Sequence, residues 1–308
     1  MSDTPNYFLK FPNAPLSRRI SYGHWLFGAL ILLTLPDLLA LPLFGLFDFL
    51  PAEWQLPLDP NFPRSGYGDS LMLWIYFIPA FIVPFLIYKY WHRLPLKRLL
   101  TTAPTFRWNR LLISFVIVLI VYGSLTAVEY GLGFEDFDEV VLHPDWKGYL
   151  IMLGIMLFLL PIQSASEEIL CRGYLNQGLS QITKRPWIAF IITSGLFAAL
   201  HMANPEAYQQ MLPYMLSIFA FGMAMCWLSY ADQGLESAIG VHIGNNFFVF
   251  TVFGYADPTL PHSAIWTGPE PMITWRSAIE DAVLIFALTA IIIGFNHWRE
   301  KQNQKKGI

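Results

Sequence analysis

Long apolar runs alternate along the chain with short polar connections, at a spacing near that of one bilayer crossing. A hydrocarbon core about 30 Å thick takes ~20 apolar residues of helix. By that template the sequence predicts eight spans, at roughly 24–46, 70–88, 111–128, 148–168, 187–203, 212–230, 236–254 and 278–296. A backbone in lipid must satisfy its own polar groups, so runs of this length are read as helices. The expected class is an all-α polytopic membrane protein with about eight transmembrane helices and a polar cavity among them. Pro36 and Pro42 predict a kink or break in the first span, and Asp37 between them is a candidate buried charge with no assigned partner. Gly66-Tyr67-Gly68-Asp69 reads as a turn at the start of the second span, with Asp69 or Ser70 as its cap.

Composition supports a bundle over a soluble domain with an anchor. Of 308 residues, 55% are hydrophobic and 13% charged, against about 25% charged in ordinary soluble domains. A net charge of −3 gives no ground for a nucleic-acid partner. Eleven Trp residues suit positions at headgroup level. Cys171 and Cys226 lie in or beside predicted spans and read as small packing residues, not as a disulfide. Polar residues precede the first apolar run and no small-residue cleavage site follows it, so no cleavable signal peptide is expected.

Basic residues sort the connections into two sets. Lys10, Arg18 and Arg19 precede the first span; Lys89, Arg93, Lys97, Arg98, Arg107 and Arg110 fill the second connection. Lys184 and Arg185 separate spans four and five, and Arg299, Lys301, Lys305 and Lys306 end the chain. The alternate connections 47–69, 129–147, 204–211 and 255–277 are nearly free of Lys and Arg, and 129–147 is acidic. The positive-inside rule then puts both termini in the cytoplasm of a multi-pass protein, with the plasma (inner) membrane expected. The organisation read from this is an N-terminal membrane region over 1–145 with three spans, a core over 146–255, and a last span with a basic tail over 256–308.

The chemistry concentrates in the core. After an apolar run come Glu167, Glu168 and Arg172. A charge at a bilayer centre costs roughly 2.5–3.5 kcal/mol on insertion scales, so these residues mark a site. Glu168 and Arg172 are i,i+4 and can pair. Glu167 points about 100° away, on a face with Gln163, Ser164, Cys171 and Tyr174. Span five carries Phe197 and His201; span seven carries His242 and Asn246, again i,i+4. Glu167 and His201 are each 17 residues from the turn at Lys184, so antiparallel helices put them at one depth. His242 lies about eight residues past the turn at Gly234, which puts it ~10 Å nearer the cytoplasm unless that turn is recessed or the first arm is not one straight helix. These residue types suit hydrolysis. Glu167 can take a proton from water, His201 can hold that water, and His242 and Asn246 can donate to a developing oxyanion. Alternatively Glu167, His201 and His242 could bind Zn²⁺, and spacing does not decide between the two.

Glu167-Glu168-x-x-x-Arg172, Phe197-x-x-x-His201 and His242-x-x-x-Asn246, in that order on successive spans, resemble the three motifs of the CPBP (CAAX protease and bacteriocin-processing, Abi) family, which includes the type II CAAX prenyl endopeptidases. The resemblance covers roughly 160–250. It implies an eight-helix fold with an intramembrane cavity. It implies that Glu167 activates water with His201, while His242 and Asn246 form the oxyanion hole; the paired Glu168 and Arg172 are read from their spacing as structural support. It implies a membrane endopeptidase, commonly labelled a metalloprotease although a metal-free glutamate mechanism is also argued, acting on a peptide or protein substrate that in the strict CAAX case is prenylated. The same family holds members linked to bacteriocin immunity and to scaffolding, which makes a non-catalytic membrane protein the alternative. A transporter using the charged residues as a relay is a third reading, against which stands the absence of repeat symmetry.

Overall fold

The computed structural model describes residues 22–45, 49, 66–133, 139–143, 145–255, 264–269 and 272–306. Lys10, Arg18 and Arg19 and the acidic stretch 134–138 lie outside them. Helices occupy each of the eight stretches marked by apolar runs. They are α1 (Tyr22–Phe44), α2 (Gly66–Leu86, continued by a π-helix at Ile87–Trp91), α3 (Trp108–Gly131) and α4 (Trp146–Thr183). Then follow α5 (Pro186–Leu200), α6 (Met211–Asp232), α7 (Glu236–Phe247, continued by a π-helix at Phe248–Val252) and α8 (Trp275–Lys306).

Among the described residues six helices, α1, α2, α3, α4, α6 and α8, are long and apolar enough to cross a membrane. The chain is thus an all-α polytopic membrane protein, but α5 and α7 fall short of the expected count. With 12 residues α7 reaches only about 18 Å. Its residues Glu236 to Gly244 are all buried, so its apolar character answers to protein neighbours and not to lipid. Gly240 and Gly244 explain how it gets so deep. A Cβ on Gly240 would strike the Leu111 carbonyl oxygen of α3, and one on Gly244 would come within 2.9 Å of the Val118 side chain. Small residues at i,i+4 let two helix backbones meet, the usual packing device of membrane helices. His242 and Asn246 are thereby left to point toward α4.

Two local expectations change. α1 runs unbroken through Pro36 and Pro42. Asp37 is exposed, because Ala29, Leu32, Pro36 and Ala40 form the buried stripe and Asp37 lies off it. α2 begins at Gly66, so Ser70 is inside the helix and not its cap; its Oγ meets Met152 Sδ at 3.9 Å.

α4 is the longest membrane helix, 38 residues. Asp145 caps it, accepting from the Lys147 N–H at 3.0 Å, and Lys184 ends it in the left-handed region with φ 59°. Between them Ile169–Leu175 is π-helical. A π turn closes i→i+5 bonds, so residues past Glu168 are rotated away from their α-helical faces.

The connections sort into two ends as the charge pattern implies. At one end, Leu235 N–H donates to Leu100 O at 2.8 Å and Thr102 N–H to Gln233 O at 3.1 Å. Arg107 grips Glu236 at 2.7 Å, Arg110 meets Asp232 at 3.0 Å, and Arg110 also pairs with Glu300 of α8. Burial alone would raise the Glu236 carboxyl, but the Arg107 hydrogen bonds and charge outweigh it and hold the group below its ordinary range. At the other end β1 (Val141–Leu142), β2 (Phe253–Tyr255) and β3 (Trp266–Gly268) form a small sheet in the order β1-β3-β2, antiparallel then parallel. That sheet joins the connections 129–147 and 255–277, both poor in basic residues.

Candidate active site

Three helices converge on one site: α4 with Glu167 and Glu168, α7 with His242 and Asn246, and α5 with Phe197 and His201. Glu168 and Arg172 pair as the i,i+4 spacing requires, at 2.9 Å and essentially without solvent exposure. Arg172 also donates to the Gly222 carbonyl of α6 at 3.0 Å and stacks over the Phe197 ring, 4.7 Å from its centre. Cations over aromatic faces gain most where water is excluded.

Glu168 does more than neutralise Arg172. Its Oε1 also takes the Nδ1 edge of His242 at 2.8 Å. With Glu168 ionised beside Arg172, that contact is an N–H donated by His242, and the ring's other nitrogen is turned toward Glu167. His242 Nε2 stands 3.5 Å from Glu167 Oε2, too far for a good hydrogen bond. Phe221 and Phe197 meet the His242 ring edge to face, with centroids at 5.0 and 6.1 Å.

Glu167 is held on one oxygen and open on the other. Gln163 Nε2 donates to Oε1 at 2.8 Å. Oε2 is buried, yet among the described residues no group donates a hydrogen bond to it. Glu168 is fully buried, whereas the Glu167 side chain keeps 16% of its surface. Glu167 is therefore the more exposed of the two side chains, although its Oε2 atom is itself buried. A buried acceptor left unmatched is costly, about 1–3 kcal/mol, and Glu168 Oε2 is in the same position.

Asn246 donates from Nδ2 to Gln163 Oε1 at 2.7 Å and lies 3.4 Å from Ser164 Oγ. Its own Oδ1 accepts from Asn245 Nδ2 at 2.9 Å, and Asn245 Oδ1 accepts from the Tyr122 hydroxyl of α3 at 3.0 Å. His201 sits at the C-terminal end of α5, half-buried, with Nδ1 bonded to the Phe197 carbonyl at 2.8 Å. Its ring packs on Phe197, centroids 4.5 Å apart. No hydrogen bond or ion pair joins it to Glu167. The Phe197 ring is the common wall of His201, Arg172 and His242.

Sequence reasoning named Glu167, Glu168, Arg172, His242 and Asn246, and the structure brings them together; His201 it places one ring away. The expected offset of His242 does not occur, since it touches Glu168. Both escapes from that geometry are realised: the Gly234 turn is bound beneath residues 100–107, and α4 is not one straight α-helix. Of the residues read onto the Glu167 face, Gln163 belongs there. Tyr174 does not, because the π-helix rotates it toward His92 Nε2 at 2.6 Å and the Trp25 carbonyl at 3.2 Å. The bridging role of Gln163 was missed, although its i,i+4 spacing from Glu167 was a usable signal. So was the role of Phe197 as platform for Arg172. Of the candidate zinc ligands, Glu167 and His242 face each other; among the described residues no three of His, Cys, Asp and Glu are grouped to hold a metal ion.

The fold and this cluster define a class: a polytopic membrane protein with a Glu-His-Asn site enclosed by its helices. Residues 146–248 match the family model described as "Type II CAAX prenyl endopeptidase Rce1-like", about a third of the chain and the part that carries all three motifs. That is the resemblance first read from the motifs, now found over the whole segment that holds them. A curated relative, the "Uncharacterized protein YyaK" of Bacillus subtilis (strain 168), is 23% identical over 222 residues, 69% of each chain. No solved structure matches.

Proposed function

We propose that the protein is an intramembrane endopeptidase in which Glu167 activates a water for attack on a peptide carbonyl. The observation that carries this reading is Glu167 Oε2, buried, without a donor among the described residues, and 3.5 Å from His242 Nε2. A water bound to Oε2 gives its proton to the carboxylate as its oxygen attacks the carbonyl carbon. The new oxyanion takes hydrogen bonds from His242 Nε2–H and from Asn246 Nδ2–H, the latter exchanged from Gln163 Oε1. When protonated, His242 has two N–H donors: one is spent on Glu168, which locks the ring, and the other serves the oxyanion. Glu167, Glu168, Arg172 and protonated His242 then sum to zero charge, which suits a cluster in apolar surroundings. His201 Nδ1–H is tied to the Phe197 carbonyl, leaving Nε2 as the basic edge that holds water. The proton taken by Glu167 goes to the leaving amine nitrogen as the C–N bond breaks. No step is routed through a metal ion.

The proposed substrate is a membrane-associated protein or peptide, of CAAX type when prenylated, cut near the cytoplasmic leaflet of the plasma membrane with both termini in the cytoplasm. The family match over 146–248 supports the substrate class, and the basic connections support the orientation. The test is hydrolysis of a farnesylated CAAX-type peptide by purified wild type and by Glu167→Gln. Wild type cleaves and the variant loses about 10²–10⁴-fold in kcat, the usual contribution of a positioned general base. Equal rates would overturn the assignment.

A further inference from the structure

The hydrogen bonds around Glu167 run in one direction. Tyr122 donates to Asn245, Asn245 to Asn246, Asn246 to Gln163 and Gln163 to Glu167, at 3.0, 2.9, 2.7 and 2.8 Å. The chain crosses three helices, α3, α7 and α4, and ends on the carboxylate. Glu167 as a carboxylate only accepts, which fixes the Gln163 amide with its N–H toward Glu167 and its carbonyl toward Asn246. Bonds aligned in this way polarise one another. Gln163 is the link through which the base and the oxyanion donor touch, and none of the three family motifs includes it.

Its two contacts have opposite consequences for catalysis. The N–H to Glu167 Oε1 fixes the carboxylate so that Oε2 is the oxygen turned to His242. The carbonyl of Gln163 occupies the Asn246 N–H that the oxyanion needs. We propose that Gln163 is a positioning residue: it aims Glu167 at the attacking water and holds the Asn246 amide until a substrate carbonyl takes its place. This rests on the hydrolytic reading of the site and deepens it. The bland alternative, a polar side chain merely bonding helices together, predicts a loss of stability with no change in how rate depends on pH.

The charged and titratable groups around Gln163 are Glu167 and Glu168 with Arg172 on α4 and His242 on α7, with Tyr76 of α2 and Tyr214 of α6 in electrostatic reach of Glu167. Two substitutions separate the readings. Gln163→Met keeps size and removes both polar contacts. Gln163→Glu keeps an acceptor for Asn246 and, when the introduced carboxyl is protonated, restores an O–H donor toward Glu167. With a farnesylated CAAX-type peptide as probe, Gln163→Met lowers kcat roughly tenfold to a hundredfold, the scale of a small misplacement of a reacting group, with KM changed less than kcat. Gln163→Glu is weak at neutral pH and regains activity as pH is lowered, so its optimum lies below that of wild type. Both variants retaining wild-type kcat and pH profile would overturn the proposal, as would parallel losses that follow thermal stability alone. A second readout does not depend on turnover. The infrared carboxylate band of Glu167, identified by its disappearance in Glu167→Gln, shifts in Gln163→Met when the amide holds that carboxylate; an unmoved band refutes the contact. If wild type fails to cleave the peptide, the hydrolytic reading falls, while the infrared result still decides whether Gln163 holds Glu167.

Discussion

Glu167 and Glu168 are adjacent and identical, and their surroundings give them different work. Glu168 spends one oxygen on both Arg172 and His242 and is fully buried; Glu167 has one oxygen held by Gln163 and keeps part of its side-chain surface, and the second oxygen of each has no partner among the described residues. Removing Glu168 therefore strands two partners at once. Glu168→Ala is expected to cost about 3–5 kcal/mol, the usual effect of breaking one side of a buried pair, seen as a lower melting temperature in detergent and poor expression. Glu167→Ala leaves expression near wild type. The double change Glu168→Gln with Arg172→Met should recover expression better than either single change but not full activity, because His242 then donates to a neutral amide oxygen in place of a carboxylate. Equal expression of the two single variants and the double would refute the pairing. This scale was largely legible in sequence, since an i,i+4 rule and the cost of charge in a membrane suffice for Glu168 and Arg172. Gln163 and Phe197 were less legible because their roles depend on side chains from other helices.

At the scale of elements, helix positions were read well and helix lengths less well. Apolar runs mark where α1 to α8 lie, but hydropathy does not distinguish burial in lipid from burial in protein, so the short, buried α7 does not stand apart in sequence from the lipid-facing helices. Its depth depends on Gly240 against the Leu111 carbonyl. Gly240→Leu should abolish folding, read as loss of the monodisperse peak in detergent, while a Leu at Gly154, which has nothing within 4 Å of its Cβ position, should not. The π-helix at Ile169–Leu175 was not legible at all, since no local residue pattern encodes an i→i+5 turn. It carries Tyr174 to a junction with α1 and the end of α2, where His92 is buried just past the span and burial, with His24 adding to it, lowers the imidazole to about 4. A group depressed from 6.5 to about 4 in the fold binds a proton more readily when unfolded. Its contribution is thus complete above pH 6.5 and is lost as pH falls toward 4. Melting temperature should fall over that window in wild type, and His92→Asn should flatten the slope; an unchanged slope would show that His92 does not govern it.

For the whole molecule, the charge pattern anticipated which connections meet. Residues 101–110, 232–236 and Glu300 are tied together by Arg107 and Arg110 at one end, and 141–142 pairs with 266–267 at the other. The orientation we propose, with the basic end in the cytoplasm, rests on the positive-inside rule. It predicts that a cysteine placed at Leu132 is labelled only from outside and one at Thr102 only from inside; the reverse would invert the topology. Cys171 and Cys226 are buried and should not contribute background. The enclosed site then lies toward the basic end. His242 is six residues, about 9 Å of helix, from Glu236, so in the proposed orientation the proposed reaction takes place toward the cytoplasmic side.

The most direct measurement compares purified wild type and Glu167→Ala, in detergent, on a farnesylated CAAX-type peptide and its unmodified counterpart, each with and without a chelator. The account predicts cleavage by wild type, loss of cleavage in the variant, and rates indifferent to the chelator. Cleavage that persists in well-folded Glu167→Ala, or a well-folded wild type that cuts neither peptide, would contradict it.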